Sequence, residues 1–260
     1  MDYLLNLVNQ LPLFMAVFFR VGSMLLFAPI FGNANVPLMF RIAIALMFSF
    51  VLYPCIEQSQ NVLPTTIIPY AFIVLREIAI GAVIGFAASM IFAAFSTAGY
   101  LVSNQIGLDM AMVVDPGSET GEEEHSISVF LHIIATFIFL MINGHHWFIK
   151  ATVQSFEIIK IGGFHCTMVT FSKILSAFKS LFIIGIKICA PSLVVLFLTV
   201  FALAFMTKVA QEINVFVLAY PIKILIGIIL LSLSLPFVIN AMKSYMISFE
   251  KDMILLLSTM

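Results

Sequence analysis

Charged side chains are scarce in this sequence, and their scarcity excludes most soluble architectures. Asp, Glu, Lys and Arg together make up 10% of the 260 residues, whereas they make up about a quarter of a typical soluble domain. Hydrophobic residues reach 62%. A net charge of −1 provides no basic surface, so we expect no nucleic-acid partner. The composition is that of an integral membrane or membrane-complex protein.

Paired cysteines and the common catalytic motifs are also missing. Cys55, Cys166 and Cys189 are widely spaced and form no Cys-x-x-Cys, so neither a disulfide framework nor a zinc site is indicated. The sequence contains no His-Glu-x-x-His, Walker loop, Gly-x-Gly-x-x-Gly or Gly-x-Ser-x-Gly. We therefore expect no enzyme, no cofactor and no metal. The pair His145–His146 lacks a neighbouring acid or cysteine, and with Trp147 it is typical of an interfacial anchor.

Apolar segments dominate what is present, and they predict an all-α membrane-complex protein with about six long helical segments. These segments lie near residues 21–40, 42–56, 78–106, 127–149, 188–207 and 224–242. Several reach the roughly 20 residues that a membrane-spanning helix needs, but the second, with fifteen, is too short. The first twenty residues lack a basic region and a cleavage site, so we expect them to begin a helix and not to be a signal peptide.

The distribution of Lys and Arg predicts an orientation in the membrane. If six spans alternate, seven basic residues share a side with the N-terminus and two lie on the other side. The excess of basic residues favours the cytoplasm. Both termini are therefore expected in the cytoplasm, with residues 107–124 on the opposite side.

Three basic residues and several prolines interrupt the apolar segments. A lone charge facing lipid costs at least about 2.5 to 3.5 kcal/mol on insertion scales, so Arg20, Lys187 and Lys223 should face protein, water or an interface. For Arg20, snorkelling of the side chain to the headgroups is the alternative. Each proline removes a backbone donor, and these helices should therefore have protein neighbours; the prolines are Pro29, Pro191, Pro221 and Pro236.

Small residues recur every four positions in the third segment, first at Gly81, Gly85, Ser89 and Ala93, then at Gly99, Ser103 and Gly107. Residues four apart lie on one helix face, and small side chains there let a second helix approach closely. The pattern predicts a tight helix contact. It does not distinguish a helix of the same chain from a helix of another subunit.

The stretch at residues 107–124, GLDMAMVVDPGSETGEEE, differs from its surroundings because it holds six of the thirteen acidic residues. Asp115-Pro116-Gly117 is turn chemistry, and the apolar residues before it include Met110 and Met112. Methionine is flexible and adapts to irregular surfaces. The order predicts an apolar tongue that ends in a turn, followed by acids, Glu122 to Glu124, that are typical of a solvated loop.

Four stretches together resemble the FliR family of flagellar biosynthetic proteins, whose counterpart in virulence injectisomes is the SctT family. They are RVGSMLLFAPIFGNANVPLMFRIAIAL (20–46), GAVIGFAASMIFAAFSTAGYLVSNQIGLDMAMVVDPGS (81–118), FLMINGHHWFIKATVQSF (139–156) and KVAQEINVFVLAYPIKILIG (208–227). Two features depart from the family pattern. The chain lacks a proline in Lys208-Val209-Ala210-Gln211-Glu212, and Glu122 to Glu124 have no counterpart.

The resemblance implies a core subunit of the type III export gate in the bacterial inner membrane at the flagellar basal body, partly raised toward the periplasm. It implies P-type and Q-type gate subunits as partners, with a B-type export switch protein and unfolded exported proteins. Residues 1–180 would resemble a P-type subunit and residues 181–260 a Q-type hairpin. Residues 105–118 would form a plug in the pore, and Arg20, Lys187 and Lys223 would contact neighbouring subunits. The plug positions would be Gln105, Gly107, Met110, Met112, Asp115 and Pro116.

Two other functions fit parts of this pattern. An injectisome gate subunit would share the family features, although Asn143-Gly144-His145-His146 favours the flagellar system. A self-contained secondary transporter would also have broken helices and intramembrane lysines. Against the transporter, the sequence predicts no acid deep within an apolar segment.

Overall fold

The computed structural model describes residues 2–29, 31–32, 36–56, 64, 66–107, 126–164, 167–209 and 215–258. Within these ranges the chain forms seven α-helices and one short 3-10 helix, Tyr53–Cys55, with no strand. The helices are α1 (Asp2–Phe27), α2 (Leu38–Leu52), α3 (Ile67–Ile106), α4 (Ser126–Met141), α5 (Gly144–Ile158), α6 (Met168–Val209) and α7 (Val215–Leu257). The predicted all-α fold is confirmed. Five of the six predicted segments lie mainly within helices when α4 and α5 count as one, but the segment at residues 21–40 does not match one helix, because only residues 21–27 belong to α1 and only residues 38–40 to α2.

Fewer helices than expected are long enough to cross a membrane. Four of the described helices meet the requirements of length and hydropathy, and a fifth span results if the bent pair α4 and α5 is counted as one. Helix α2 has only 15 residues, about 22 Å at 1.5 Å per residue, as its apolar run predicted. The six alternating spans assumed for the orientation are therefore not found. Five spans would place the termini on opposite sides, so the cytoplasmic position of both stays a prediction.

The predicted single segment at residues 127–149 divides into two helices at Asn143. This residue has a φ of 57°, the left-handed conformation that asparagine tolerates better than most residues. The amide of Ile142 still donates to Ile138, and the amides of His146 and Trp147 then donate to the Asn143 carbonyl and begin α5. Asn143 thus ends one helix and begins the next.

Helix α3 begins well before the apolar run that predicted it. Its 40 residues start at Ile67, so Glu77 is its eleventh residue and is fully buried. The expectation that no acid lies deep in a segment was therefore wrong. It failed because Glu77 directly precedes the uncharged run and was assigned to its edge. Three of the prolines that interrupt the apolar segments do not end a helix. Pro191 lies inside α6, and Pro221 and Pro236 lie inside α7.

The first of two compact units, unit 1, comprises residues 1–90, 143–178 and 247–260. Its core joins α1, α2, α3 and α5 with the C-terminal end of α7, where Met253 and Leu257 are buried. At the same place Lys173 donates a hydrogen bond of 3.0 Å to the Leu255 carbonyl. The core residues of unit 1 include Val17, Val21, Met24, Leu25, Ile80, Ile84, Phe148 and Ala151.

The second compact unit, unit 2, comprises residues 91–142 and 179–246. It contains the C-terminal half of α3, all of α4 and most of α6 and α7. Phe92 packs edge-on against Phe139, with ring centroids 5.5 Å apart, and so joins α3 to α4. Unit 1 includes residues on both sides of position 180. The proposed division into a P-like and a Q-like part describes similarity to two subunit types, and it stays a prediction.

Candidate functional site

A buried ion pair between Arg20 and Glu77 is the main polar feature of unit 1. The Arg20 Nε donates to a Glu77 carboxylate oxygen at 2.5 Å, and both side chains are 0% exposed. Arg20 lies in α1 and Glu77 in α3, 57 residues apart in the chain. The pair therefore connects α1 to α3 through two buried side chains of opposite charge.

The remaining donors of Arg20 reach the end of α5. Nη1 donates to the carbonyl and the hydroxyl of Ser155, at 2.9 and 3.3 Å, and Nη2 donates to the carbonyl of Ile159 at 3.2 Å. The ring of Phe156 lies 4.1 Å from the guanidinium carbon, in a cation–π contact. The Ser155 carbonyl belongs to the last turn of α5 and Ile159 is the residue directly after the helix, where a cation is favourable.

Glu77 in turn holds the loop after α5. Its second carboxylate oxygen accepts the amide of Gly162 at 2.9 Å. Gly162 has a φ of +77°, a conformation that favours glycine. The exposed neighbour Arg76 donates to the Gly162 carbonyl at 2.8 Å, so both groups of this glycine are bonded to α3. One buried pair thus links α1, α3, α5 and the loop that follows α5.

The small-residue face of α3 lies directly against α1 beside this pair. A Cβ on Gly81 would overlap the Arg20 carbonyl and the Ser23 hydroxyl, and a Cβ on Gly85 would overlap the Met24 carbonyl. Arg20 and Met24 are one turn apart in α1, as Gly81 and Gly85 are in α3. The contact is therefore in register and lies within one chain. Ser89, a turn further on, is half-buried and bonds to Phe86 of its own helix.

The second set of small residues belongs to unit 2. A Cβ on Gly99 would lie 2.6 Å from the Cα of Ser128, so α3 and α4 are in backbone contact. The Ser128 hydroxyl donates to the Ser96 carbonyl at 2.8 Å in the same contact. Ser103 is fully buried, and its carbonyl accepts the amide of Gly107 at 2.9 Å.

Only the beginning of the predicted plug is described. Gln105 is a half-buried residue of the last turn of α3, and Gly107 follows the helix with a φ of +83°. A positive φ immediately after a helix is the common glycine C-cap. The other proposed plug residues lie outside the described ranges, and they are Met110, Met112, Asp115 and Pro116.

The three basic residues grouped by the sequence have different environments. Arg20 is fully buried and its partners lie within the chain. Lys187 is exposed and Lys223 is half-buried. Neither lysine has a hydrogen bond or ion pair with the part of the chain that the structure describes. For the lysines, a contact with neighbouring subunits stays a prediction.

The histidine pair at the start of α5 shows no grouping typical of a metal site. The two rings of His145 and His146 have centroids 4.2 Å apart. Among the described residues, no group of three or more His, Cys, Asp or Glu side chains could hold a metal ion. Trp147 packs edge-on against Phe249 of α7 with centroids 5.5 Å apart, and its place at a membrane interface stays a prediction.

Glu77 is the site residue that the sequence argument missed. A signal was present, because an arginine within an apolar helix needs an anionic partner if it faces protein. Of the thirteen acidic residues, two adjoin the longest uncharged run, Glu77 before it and Asp109 after it. The pairing of Arg20 and Glu77 itself depends on how α1 and α3 lie together, which no local pattern specifies.

Comparisons with known proteins agree on one family. The family model described as bacterial export proteins, family 1, matches residues 11–248. The flagellar biosynthetic protein FliR of Bacillus subtilis (strain 168) is 29% identical over 230 residues, covering 87% of this chain and 87% of the relative. FliR of Escherichia coli (strain K12) is 28% identical over 231 residues, covering 89% of this chain and 87% of the relative. FliR of Aquifex aeolicus (strain VF5) is 27% identical over 234 residues, covering 90% of this chain and 89% of the relative. Because the family model covers most of the chain, this protein belongs to family 1 of the bacterial export proteins, the FliR family.

Proposed function

We propose that this chain is a core subunit of the flagellar type III protein export gate in the bacterial inner membrane. The observation that carries the proposal is the family match over residues 11–248, because it spans both compact units. The relatives are named flagellar biosynthetic proteins, which supports a role as a subunit of the flagellar export apparatus. We further propose P-type and Q-type gate subunits, and a B-type switch protein, as its partners.

The distribution of exposed apolar surface supports an assembly with other subunits or with lipid. In the apolar window of α3, 56% of residues are buried inside the chain, whereas in that of α7 only 11% are. Exposed side chains such as Phe197 and Phe201 on α6, and Leu233 and Phe237 on α7, continue this surface. Apolar faces of this extent need lipid or protein to cover them.

A secondary transporter is less well supported, although Glu77 supplies the acid that the sequence argument had missed. A proton-coupling carboxylate must be reached by water and must be able to change its partners. Glu77 is 0% exposed and both of its oxygens are bonded, to Arg20 and to Gly162. The carboxylate is therefore suited to holding helices together and not to exchanging protons.

We expect the chain to form a heterologous complex and to be poorly stable alone. Co-expression with and without the P-type and Q-type subunits, followed by size-exclusion chromatography in detergent, measures this directly. With partners, a monodisperse peak should contain all three proteins; without them, the chain should aggregate or be degraded. A monodisperse and heat-stable protein from the chain alone would contradict the proposal and favour the transporter.

We also propose that residues 105–118 form a plug, with Met110 and Met112 in its apolar part and Asp115-Pro116 at its turn. Hydrophobic constrictions exclude water and ions by dewetting, so Met110→Asp with Met112→Asp should increase the ion permeability of proteoliposomes that contain the complex. Replacing Glu122, Glu123 and Glu124 by Gln is the matched control, because solvated charges do not form a seal. Unchanged permeability in the Met variant with increased permeability in the Glu variant would reverse the assignment.

A further inference from the structure

The last turn of α3 lies against one face of α7 at two positions in unit 2. The ring of Tyr220 lies over Gly107, since a Cβ on that glycine would be 3.3 Å from both Cδ1 and Cε1 of the ring. Two turns further along α7, a Cβ on Gly227 would overlap the side chain of Ile106. Ile106 is fully buried, whereas Tyr220 is 40% exposed.

These two contacts act on the same face of α7. Positions seven residues apart in a helix differ by only about 20° around the axis, so Tyr220 and Gly227 point in nearly the same direction. Ile106 and Gly107, which they contact, are consecutive residues. Gly227 leaves room for the side chain of Ile106, and the ring of Tyr220 covers Gly107. Together the two residues fix how closely the end of α3 approaches α7 and in which direction it points.

Gly107 meets two independent requirements at this place. Its φ of +83° ends the helix, and its missing side chain leaves room for the ring of Tyr220. Its amide remains bonded to the Ser103 carbonyl at 2.9 Å, so the turn is closed up to this residue. The chain therefore leaves α3 at a defined point, with Tyr220 beside it.

We infer that Tyr220 and Gly227 are positioning residues of the export gate, because they seat the last turn of α3 and so determine where the following segment begins. This inference rests on the proposed function of that segment as a plug. It assigns a role to α7, a helix remote in sequence from the plug. It also separates two parts of the barrier: the apolar residues that exclude water, and the seat that holds their point of attachment.

The test compares two variants in the assembled complex. Tyr220→Ala removes the ring from Gly107, and Tyr220→Phe keeps the ring and removes only the hydroxyl. Hydrogen exchange is measured for the amides of residues 103–107, and ion permeability is measured in proteoliposomes. In Tyr220→Ala we expect the Gly107 amide to exchange about tenfold faster, because opening of the last turn of α3 no longer has to break the contact with the ring. We also expect the ion permeability of the proteoliposomes to increase. Tyr220→Phe should match the unmodified protein in both measurements.

The two measurements separate the inference from the proposed function. Unchanged exchange at Gly107 in Tyr220→Ala would show that the ring does not hold the last turn of α3, whatever the ion permeability. Faster exchange without a leak, in a complex where Met110→Asp with Met112→Asp does leak, would overturn the role of the seat in the gate and leave the plug intact. If the Met variant does not leak either, the plug itself is wrong. Gly227→Ala gives a second route, because its Cβ displaces Ile106 and should also accelerate exchange.

Discussion

Replacing Glu77 by alanine is expected to destabilise the protein by about 3 to 5 kcal/mol, because it leaves the charge of Arg20 buried without a counter-charge. Arg20 has nowhere to move, since its side chain is 0% exposed and its other donors are already bonded to Ser155 and Ile159. The loss exceeds that of a surface ion pair, whose contribution is about 0 to 1 kcal/mol. The measurement is the midpoint of thermal unfolding of the purified complex, together with the amount of complex recovered from cells.

Two further variants show whether the charge or the volume is responsible. Replacing both partners, Arg20→Met with Glu77→Leu, should recover much of the stability, because apolar residues of similar size remove the need for a counter-charge. Arg76→Ala removes a hydrogen bond to the same loop from an exposed position, and it should cost less than about 1 kcal/mol. If Glu77→Ala were as stable as the unmodified protein, the pair would not be the tie between α1, α3 and α5.

Replacing Gly85 by leucine should produce the second large effect, through the contact of α3 with α1. Even a single added carbon would overlap the Met24 carbonyl, and it would lie 2.8 Å from the Cβ of Phe27. Overpacking a close contact costs about 1 to 3 kcal/mol or more, and backbone atoms cannot move aside as a side chain can. We expect little folded protein to be recovered, and a lower unfolding midpoint for what is recovered.

Gly22→Ala is the matched control for Gly85→Ala, since both glycines lie within long helices of unit 1. A Cβ on Gly22 would lie 3.9 Å from the Cβ of Ala45, an ordinary contact, so this variant should be as stable as the unmodified protein or slightly more stable. Gly85→Ala should be clearly less stable. Equal stability of the two alanine variants would show that α1 and α3 are not in close contact at Gly85.

Composition and periodicity were sufficient to predict the class of fold. A long apolar run that contains few charges can satisfy its backbone groups within the run itself only as a helix, and helices are what the described residues form. The fifteen-residue run at residues 42–56, predicted to be too short to span, overlaps α2, which also has only 15 residues but begins four residues earlier. The four-residue spacing of glycines also predicted close helix contacts, which the structure describes for Gly81 and Gly85 within the chain.

The partners of individual residues could not be predicted, because they depend on how distant segments meet. Arg20 was recognised as a buried charge, but its partner lies 57 residues away. The break at Asn143 is different, because the sequence does carry a local signal for it. Asn143-Gly144 is a dipeptide typical of turns and two histidines follow it, but residues 127–149 were treated as one apolar segment. The contact of Tyr220 with Gly107 likewise joins two segments that are more than a hundred residues apart.

Export itself tests the central claim most directly. The gene for this chain is deleted and then restored in the host cell, and the amount of flagellar filament protein released into the medium is measured, with total cellular filament protein as the reference. The account predicts that release is lost on deletion, returns with the unmodified chain, and returns only weakly with Glu77→Ala. Release that continues unchanged in the deletion strain would contradict the assignment of this chain to the flagellar export gate.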